Sequence, residues 1–147
     1  LGDVYKRQDN IKSRLDLWNV LAKVPSSSYT DNNTPLYWMD FGNTKTAGQV
    51  VLGTVPKKIK QPVSTMYETV GSLKVITRFV KYARVKEVDS GPSCSLAEAL
   101  EKQDLFINST LAQLGCNILW KMFRHGMIEH HGLFLNLETM KVNPIGV

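Results

Sequence analysis

The chain has 147 residues, of which 43% are hydrophobic, and its formal net charge is +5 at pH 7. This length is sufficient for one domain with a sizeable core. The sequence contains no run of the ~20 apolar residues that a membrane-spanning helix requires. Its two cysteines, Cys94 and Cys116, form no Cys-x-x-Cys pair, so neither a structural zinc site nor a redox dithiol is indicated. We therefore expect one cytoplasmic domain with no zinc and no membrane segment.

The first eight residues are not expected to belong to the natural protein. The stretch DVYKRQ at positions 3–8 looks like the translated end sequence of a transposase used to prepare sequencing libraries. Residues 1–8 are therefore excluded from the fold prediction. We expect the natural sequence to resume at Asp9, inside a gene whose upstream part is missing.

The natural sequence begins with a predicted amphipathic helix over residues 9–24. Apolar side chains recur there at helical spacing, and Pro25 ends the pattern. These apolar residues are Ile11, Leu15, Trp18, Leu21 and Val24.

A β-hairpin is predicted next, with strands at 36–41 and 49–52 joined by a loop over 42–48. The following segment, 55–88, is strongly basic and has no clear secondary-structure pattern. It carries Lys57, Lys58, Lys60, Lys74, Arg78, Lys81, Arg84 and Lys86 against two glutamates. A solvated basic loop is favoured here over a nucleic-acid interface, although an acidic partner or a phosphate backbone would also be attracted.

The last third of the chain predicts a helix followed by two strands. A helix is predicted to begin near Ser95, and an apolar stripe runs to His125, where Gly126 is a plausible cap. The stripe consists of Leu111, Leu114, Ile118, Met122 and Phe123. A strand at 133–137, a turn and a second apolar stretch at 142–145 complete the chain.

The first candidate for chemistry is the segment DFGNTKT at positions 40–46. A strand that ends in Asp40-x-Gly42-x-Thr44 resembles the phosphate-binding hairpin of actin-like ATPases, in which Asp helps to hold hydrated Mg²⁺. That fold requires a second such hairpin, and nothing after Gly53 repeats the pattern. The kinase motif Asp-Phe-Gly has none of its companion motifs here. A plain strand-turn-strand is therefore the stronger interpretation.

The second candidate is Cys94, which precedes a predicted helix start. Ser95 and Glu98 form a capping box, and the Gly91-Pro92 turn before them keeps the thiol exposed. The positive end of the helix dipole favours the nucleophilic thiolate there. Cys116 lies in the apolar helical pattern and is expected to be an inert core residue. A structural role for Cys94 remains the commoner alternative.

Several motifs in a fixed order carry a family resemblance. They are Asp9-Asn10-x-x-x-Arg14 at a helix start, a strand with a Gly-x-x-x-x-x-Gly-Gln-Val hairpin, the GPSCSLAEAL segment at 91–100, and QD with NSTLA at 103–112. Together they resemble the second half of ThiF/E1-like adenylyltransferases, and most closely the ThiF family of bacterial PRTRC systems. The resemblance covers nearly all of residues 9–147.

The resemblance implies both a fold and a reaction. It implies an α/β chain that is the C-terminal part of a Rossmann-like adenylyltransferase domain, with three-layer character and an incomplete, mostly parallel sheet. Such enzymes use ATP and Mg²⁺ to adenylate the C-terminal carboxylate of a ubiquitin-like or sulfur-carrier protein. The Gly-rich nucleotide loop would lie upstream of Asp9, so residues 9–147 alone are not expected to turn over ATP.

The resemblance also implies roles for individual residues. Asp9 matches the family's Mg²⁺- and ATP-associated aspartate, Asn10 accompanies it, and Arg14 matches an orienting arginine in the same helix. Cys94 matches the cysteine that forms a thioester with the activated carrier. In the absence of these roles, Asp9 would be a helix cap and Arg14 a surface charge.

Partners are implied in the same way. The intact enzyme is expected to be a homodimer that binds the carrier protein and an E2-like acceptor. The alternative is a basic binding module with no chemistry. His125, His130 and His131 are expected to be surface residues around a turn, because no third convergent metal ligand accompanies them. We also expect an unpaired sheet edge and exposed apolar side chains on helix 9–24.

Overall fold

The computed structural model describes residues 11–23, 35–55, 72–79 and 103–147. Within these ranges the chain forms three helices and four strands. The helices are α1 (Ile11–Leu21), α2 (Ile76–Phe79) and α3 (Ile107–His125), and the strands are β1 (Tyr37–Asn43), β2 (Ala47–Thr54), β3 (His130–Asn136) and β4 (Lys141–Gly146).

The four strands form one sheet in the order β1-β2-β3-β4, and with the helices they make a mixed α/β arrangement. Every pair in this described sheet is antiparallel. The mostly parallel sheet expected from the family resemblance is therefore not what these residues form. The reason is local, because short turns join β1 to β2 and β3 to β4, and a tight hairpin reverses the chain direction.

The predicted hairpin is confirmed, and the strand and apolar stretch predicted near the end of the chain pair as a second hairpin. The helix predicted from near Ser95 to His125 is observed from Ile107 onward, and residues 103–106 before it are not helical. β1 and β2 pair from Tyr37↔Thr54 to Asn43↔Gly48, as the alternating strand pattern and the glycine-containing loop indicated. α3 ends where the sequence predicted, at a left-handed Gly126 whose amide N–H donates to the Met122 carbonyl. Glycine adopts this conformation without the steric cost that a Cβ would add.

The sheet lies between helices on both faces, which gives the described part a three-layer character. α3 buries one side, formed by Ile107, Leu111, Gly115 and Ile118. These residues pack against the face of the sheet that carries Val50, Leu52, Leu133 and Leu135. On the opposite face, Val51 and Ile76 form a second cluster with Ile11, Trp38 and Ile145.

Helix α1 is the least covered of these elements. None of its side chains is buried, and Leu15, Leu17 and Val20 are exposed. Trp18 and Leu21 are half-buried. The exposed apolar side chains expected on this helix are therefore observed, and within the described residues β1 and β4 each have one edge without a partner strand.

Candidate functional site

Arg14 is the candidate site residue that the structure describes, and it joins helix α1 to strand β1. Its Nε atom lies 3.3 Å from Oδ1 of Asp40, and its Nη2 atom donates a hydrogen bond to the carbonyl oxygen of Phe41 at 2.5 Å. The Asp40 side chain is only 5% exposed and that of Arg14 is 20% exposed. An ion pair this well covered is screened less than one in open water, so both charges are held in place.

Gly42 lies beside this guanidinium. A Cβ atom added at Gly42 would lie 3.5 Å from Nη1 of Arg14 and 3.5 Å from the side-chain nitrogen of Gln49. Both distances are ordinary van der Waals contacts, so the space beside Arg14 would admit an alanine.

A tryptophan pair fixes the same helix one turn further on. The rings of Trp18 and Trp38 are stacked, with centroids 6.3 Å apart and an interplanar angle of 19°. Arg14 contacts β1 near residue 41, whereas Trp18 contacts it at residue 38, so α1 runs antiparallel to β1. The beginning of α1 therefore lies toward the Gly42 end of the strand.

This arrangement gives Asp40 a role that the sequence did not indicate. The segment around Asp40, Gly42 and Thr44 resembled a phosphate-binding hairpin, which would use the aspartate to hold hydrated Mg²⁺. In the structure the Asp40 carboxylate faces Arg14, and the Thr44 hydroxyl donates to the Ala47 carbonyl at 3.1 Å within the turn. These contacts favour the plain strand-turn-strand interpretation.

Three of the predicted site residues lie outside the described residues. These are Asp9 and Asn10, which directly precede α1 in the sequence, and Cys94. Of the predicted site, the structure therefore places Arg14 alone. The helix start predicted at Ser95 and most of the basic segment 55–88 also lie outside the described ranges.

The prediction for Cys116 was wrong. It was expected in the core, but its side chain is exposed on the outer side of α3. The buried positions of the helix are 107, 111, 115 and 118. Residue 116 is one step, about 100°, beyond Gly115 and therefore points away from the sheet. The free thiol is accessible to reagents, which an inert core cysteine would not be.

The prediction for His131 was also wrong. His125 and His130 are exposed as expected, but His131 is 1% exposed. Its Nδ1 atom lies 2.7 Å from the Leu52 carbonyl oxygen. Because a carbonyl oxygen only accepts hydrogen bonds, Nδ1 carries the proton. The register of β3 with β4 shifts between His130 and Gly132, and no local sequence pattern indicates such a bulge.

The described residues provide no ready-made metal site. No group of three or more His, Cys, Asp or Glu side chains comes together among them. In the same part of the chain, each helix is too short or too polar to cross a membrane.

Comparisons with protein-family models, with curated proteins and with solved structures gave no match for this chain. The resemblance to ThiF/E1-like adenylyltransferases therefore rests on the sequence motifs.

Proposed function

We propose that residues 9–147 are part of a ThiF/E1-like adenylyltransferase whose whole protein activates a ubiquitin-like or sulfur-carrier protein. The observation that supports this best is the position of Arg14. It belongs to the Asp9-Asn10-x-x-x-Arg14 motif, and its ion pair with Asp40 fixes the helix that directly follows Asp9 against β1. A motif whose arginine orients the helix would be expected to make such a contact.

The proposed reaction has two steps. A carboxylate oxygen of the carrier attacks the α-phosphate of ATP, so a P–O bond forms while pyrophosphate leaves, and the product is an acyl-adenylate. The Cys94 thiolate then attacks the acyl carbon, AMP leaves with the bond electrons, and a thioester forms. A bound Mg²⁺, for which Asp9 is the proposed ligand, would neutralise phosphate charge. The thioester would pass to an E2-like acceptor.

Arg14 has a positioning role in this proposal. Its guanidinium contacts the Asp40 carboxylate and the Phe41 carbonyl oxygen, both in β1, so it is engaged by the sheet. The consequence is a fixed orientation for the start of α1.

We further propose that the four described strands belong to a larger Rossmann-like sheet in a homodimeric enzyme, which would cover the apolar side chains of α1. The alternative, a basic binding module without chemistry, depends on the segment 55–88, most of which lies outside the described residues.

The test is ATP–pyrophosphate exchange by the natural protein that contains residues 9–147 with their upstream segment. The substrates are a panel of ubiquitin-like and sulfur-carrier proteins, each compared with the same protein lacking its last two residues. We expect exchange with a carrier that has an intact carboxy terminus, and loss of exchange in Asp9→Asn. Asp16→Asn is the matched control, because Asp16 is an exposed acid on the same helix. Absence of exchange with every carrier would refute the proposal.

A further inference from the structure

The outer side of α3 carries large apolar side chains that the sheet does not cover. Trp120 is 63% exposed and Phe123 is 78% exposed. With Cys116, which is also exposed, they fall within about 60° of one another around the helix, at ~100° per residue. Single exposed apolar residues are common on protein surfaces, whereas neighbours on one face form a patch that marks an interaction site.

The same helix has a one-sided charge. Its 19 residues include no Asp or Glu, while Lys121, Arg124 and His125 lie in its last two turns. The negative end of the helix dipole accounts for cations near the C-terminus. It does not account for the absence of Asp and Glu from all 19 positions of the helix, which leaves Glu129, just beyond the helix end, as the acid beside these cations in the lining of the adjoining cleft. A partner that approaches this face therefore meets positive charge beside aromatic rings.

A cleft adjoins this charged row. It has a volume of about 520 Å³ and lies between the second half of α3 and the strands β3 and β4. Ile118, Ile128 and Leu133 give it apolar walls, and Lys121 and His130 line it as well. The lining also includes one acid, Glu129. A space of this size and character can accept one or two apolar side chains.

The patch, the basic row and the cleft are neighbours around α3. From Trp120, a rotation of about 40° around the helix reaches Arg124, and about 60° more reaches Lys121. Lys121 is itself a lining residue of the cleft. A short extended segment that crosses the helix would therefore meet an aromatic ring, then two cations, then an apolar cleft.

We propose that this surface, made by Trp120, Phe123, Arg124, Lys121 and the cleft, binds an acidic peptide segment of a partner protein that carries an apolar anchor side chain. The charges select Asp or Glu, and the concave cleft selects an inserted side chain. A protein that binds a membrane surface presents a flat or convex apolar face, whereas this surface includes a concave cleft. The site lies on the opposite face of the sheet from Arg14 and uses no nucleotide, so it goes beyond the proposed adenylation.

The experiment is a selection of short random peptides displayed on phage against the full chain, with counter-selection against the Lys121→Glu/Arg124→Glu variant. We expect enrichment of sequences in which Leu or an aromatic residue stands beside Asp or Glu. A synthetic peptide of that sequence should bind about tenfold more weakly to Phe123→Ala and to the charge-reversed variant. Its affinity should fall as salt is raised, because exposed charges are screened.

Matched controls keep the result interpretable. Lys141→Glu removes one exposed cation on β4, away from α3, and should leave the affinity unchanged. All substituted side chains are exposed, so thermal unfolding should show that each variant still folds. The proposal is refuted if no sequence is enriched over the counter-selection or if the enriched peptides lack acidic residues. It is also refuted if phosphatidylserine vesicles or single-stranded RNA bind in place of the peptides and that binding requires Phe123.

Discussion

Arg14 and Asp40 connect a helix and a strand through an ion pair. The contribution of this pair to the free energy of unfolding can be measured. Removing the Asp40 carboxylate leaves a guanidinium that is only 20% exposed without its partner. We expect Asp40→Ala to lower the free energy of unfolding by about 3 kcal/mol, since breaking a buried pair costs more than the pair contributes. Arg14→Met/Asp40→Leu should cost less than Asp40→Ala alone, because no charge is then buried.

Urea denaturation of these variants and of Arg14→Met completes a double-mutant cycle. Asp16→Ala, at an exposed acid of the same helix, should change stability by less than about 0.5 kcal/mol. A coupling energy near zero between positions 14 and 40 would contradict the assigned contact.

Gly115 allows α3 to approach the sheet closely. A Cβ atom at this position would lie 2.7 Å from two ring carbons of Phe41 and 3.1 Å from a methyl group of Val50. Alanine is the better helix former by about 1 kcal/mol. The overlap should outweigh that gain, so we expect Gly115→Ala to destabilise the fold by about 1 to 2 kcal/mol.

The phenyl ring supplies the control for this prediction. In a Phe41→Leu background the ring atoms that meet the new Cβ are gone, so Gly115→Ala should cost less there than in the natural sequence. Equal costs in the two backgrounds, measured by thermal unfolding, would show that Phe41 does not set the distance between helix and sheet.

At the scale of elements, the left-handed Gly126 defines where α3 ends. Its φ angle is 72°, and a Cβ there has open space around it, so the cost of a side chain is purely conformational. We expect Gly126→Ala to lower the free energy of unfolding by about 1 kcal/mol.

Gly146→Ala is the matched control for that backbone effect. A Cβ at Gly146 also meets nothing within 4 Å, but its φ angle is not positive. Its stability should therefore stay within about 0.5 kcal/mol of the natural sequence. Equal effects at the two glycines in urea denaturation would contradict the assigned left-handed cap.

Elements with strong periodic signals were predictable from the sequence. The Gly126 cap and the first hairpin depend on neighbours close in sequence, and each was found. The predicted apolar stripe of α3 was found except at Phe123, which is 78% exposed. To predict the exposure of Cys116, one must know which side of α3 faces the sheet. The apolar residues on both sides of Cys116 in the sequence obscured this. The burial of His131 depends on a β-bulge and on the Leu52 carbonyl, which is 79 residues away. Contacts of that kind have no local signature.

The candidate site divides in the same way. The sequence singled out Arg14 only through a family resemblance, which stays a prediction, and it assigned the partner Asp40 to a different chemistry. Their contact joins residues 26 positions apart, and only the packing of α1 against β1 brings them together. The sheet order β1-β2-β3-β4 is likewise a long-range property. Strand patterns indicated the pairing of β1 with β2 but not that of β2 with β3.

At the scale of the whole molecule, the proposed two-step reaction gives Cys94 and Cys116 different roles. The sequence favoured Cys94 as the nucleophile because it precedes a predicted helix start. In the proposed full-length enzyme, Cys94→Ala should leave ATP–pyrophosphate exchange intact, because adenylation comes first and uses no thiol. The same change should abolish a covalent complex with the carrier that dithiothreitol cleaves.

The exposed Cys116 sets how that experiment must be designed. Its accessible thiol could exchange with any activated carrier and give a false complex, so both proteins should be compared in a Cys116→Ala background. That substitution should cost less than about 0.5 kcal/mol, because an exposed side chain loses little packing. Denaturing gels without and with dithiothreitol then report the thioester directly. If the complex persists in Cys94→Ala/Cys116→Ala, neither thiol is its nucleophile. If it is lost in Cys116→Ala alone, Cys116 rather than Cys94 accepts the carrier, and the role assigned to Cys94 fails.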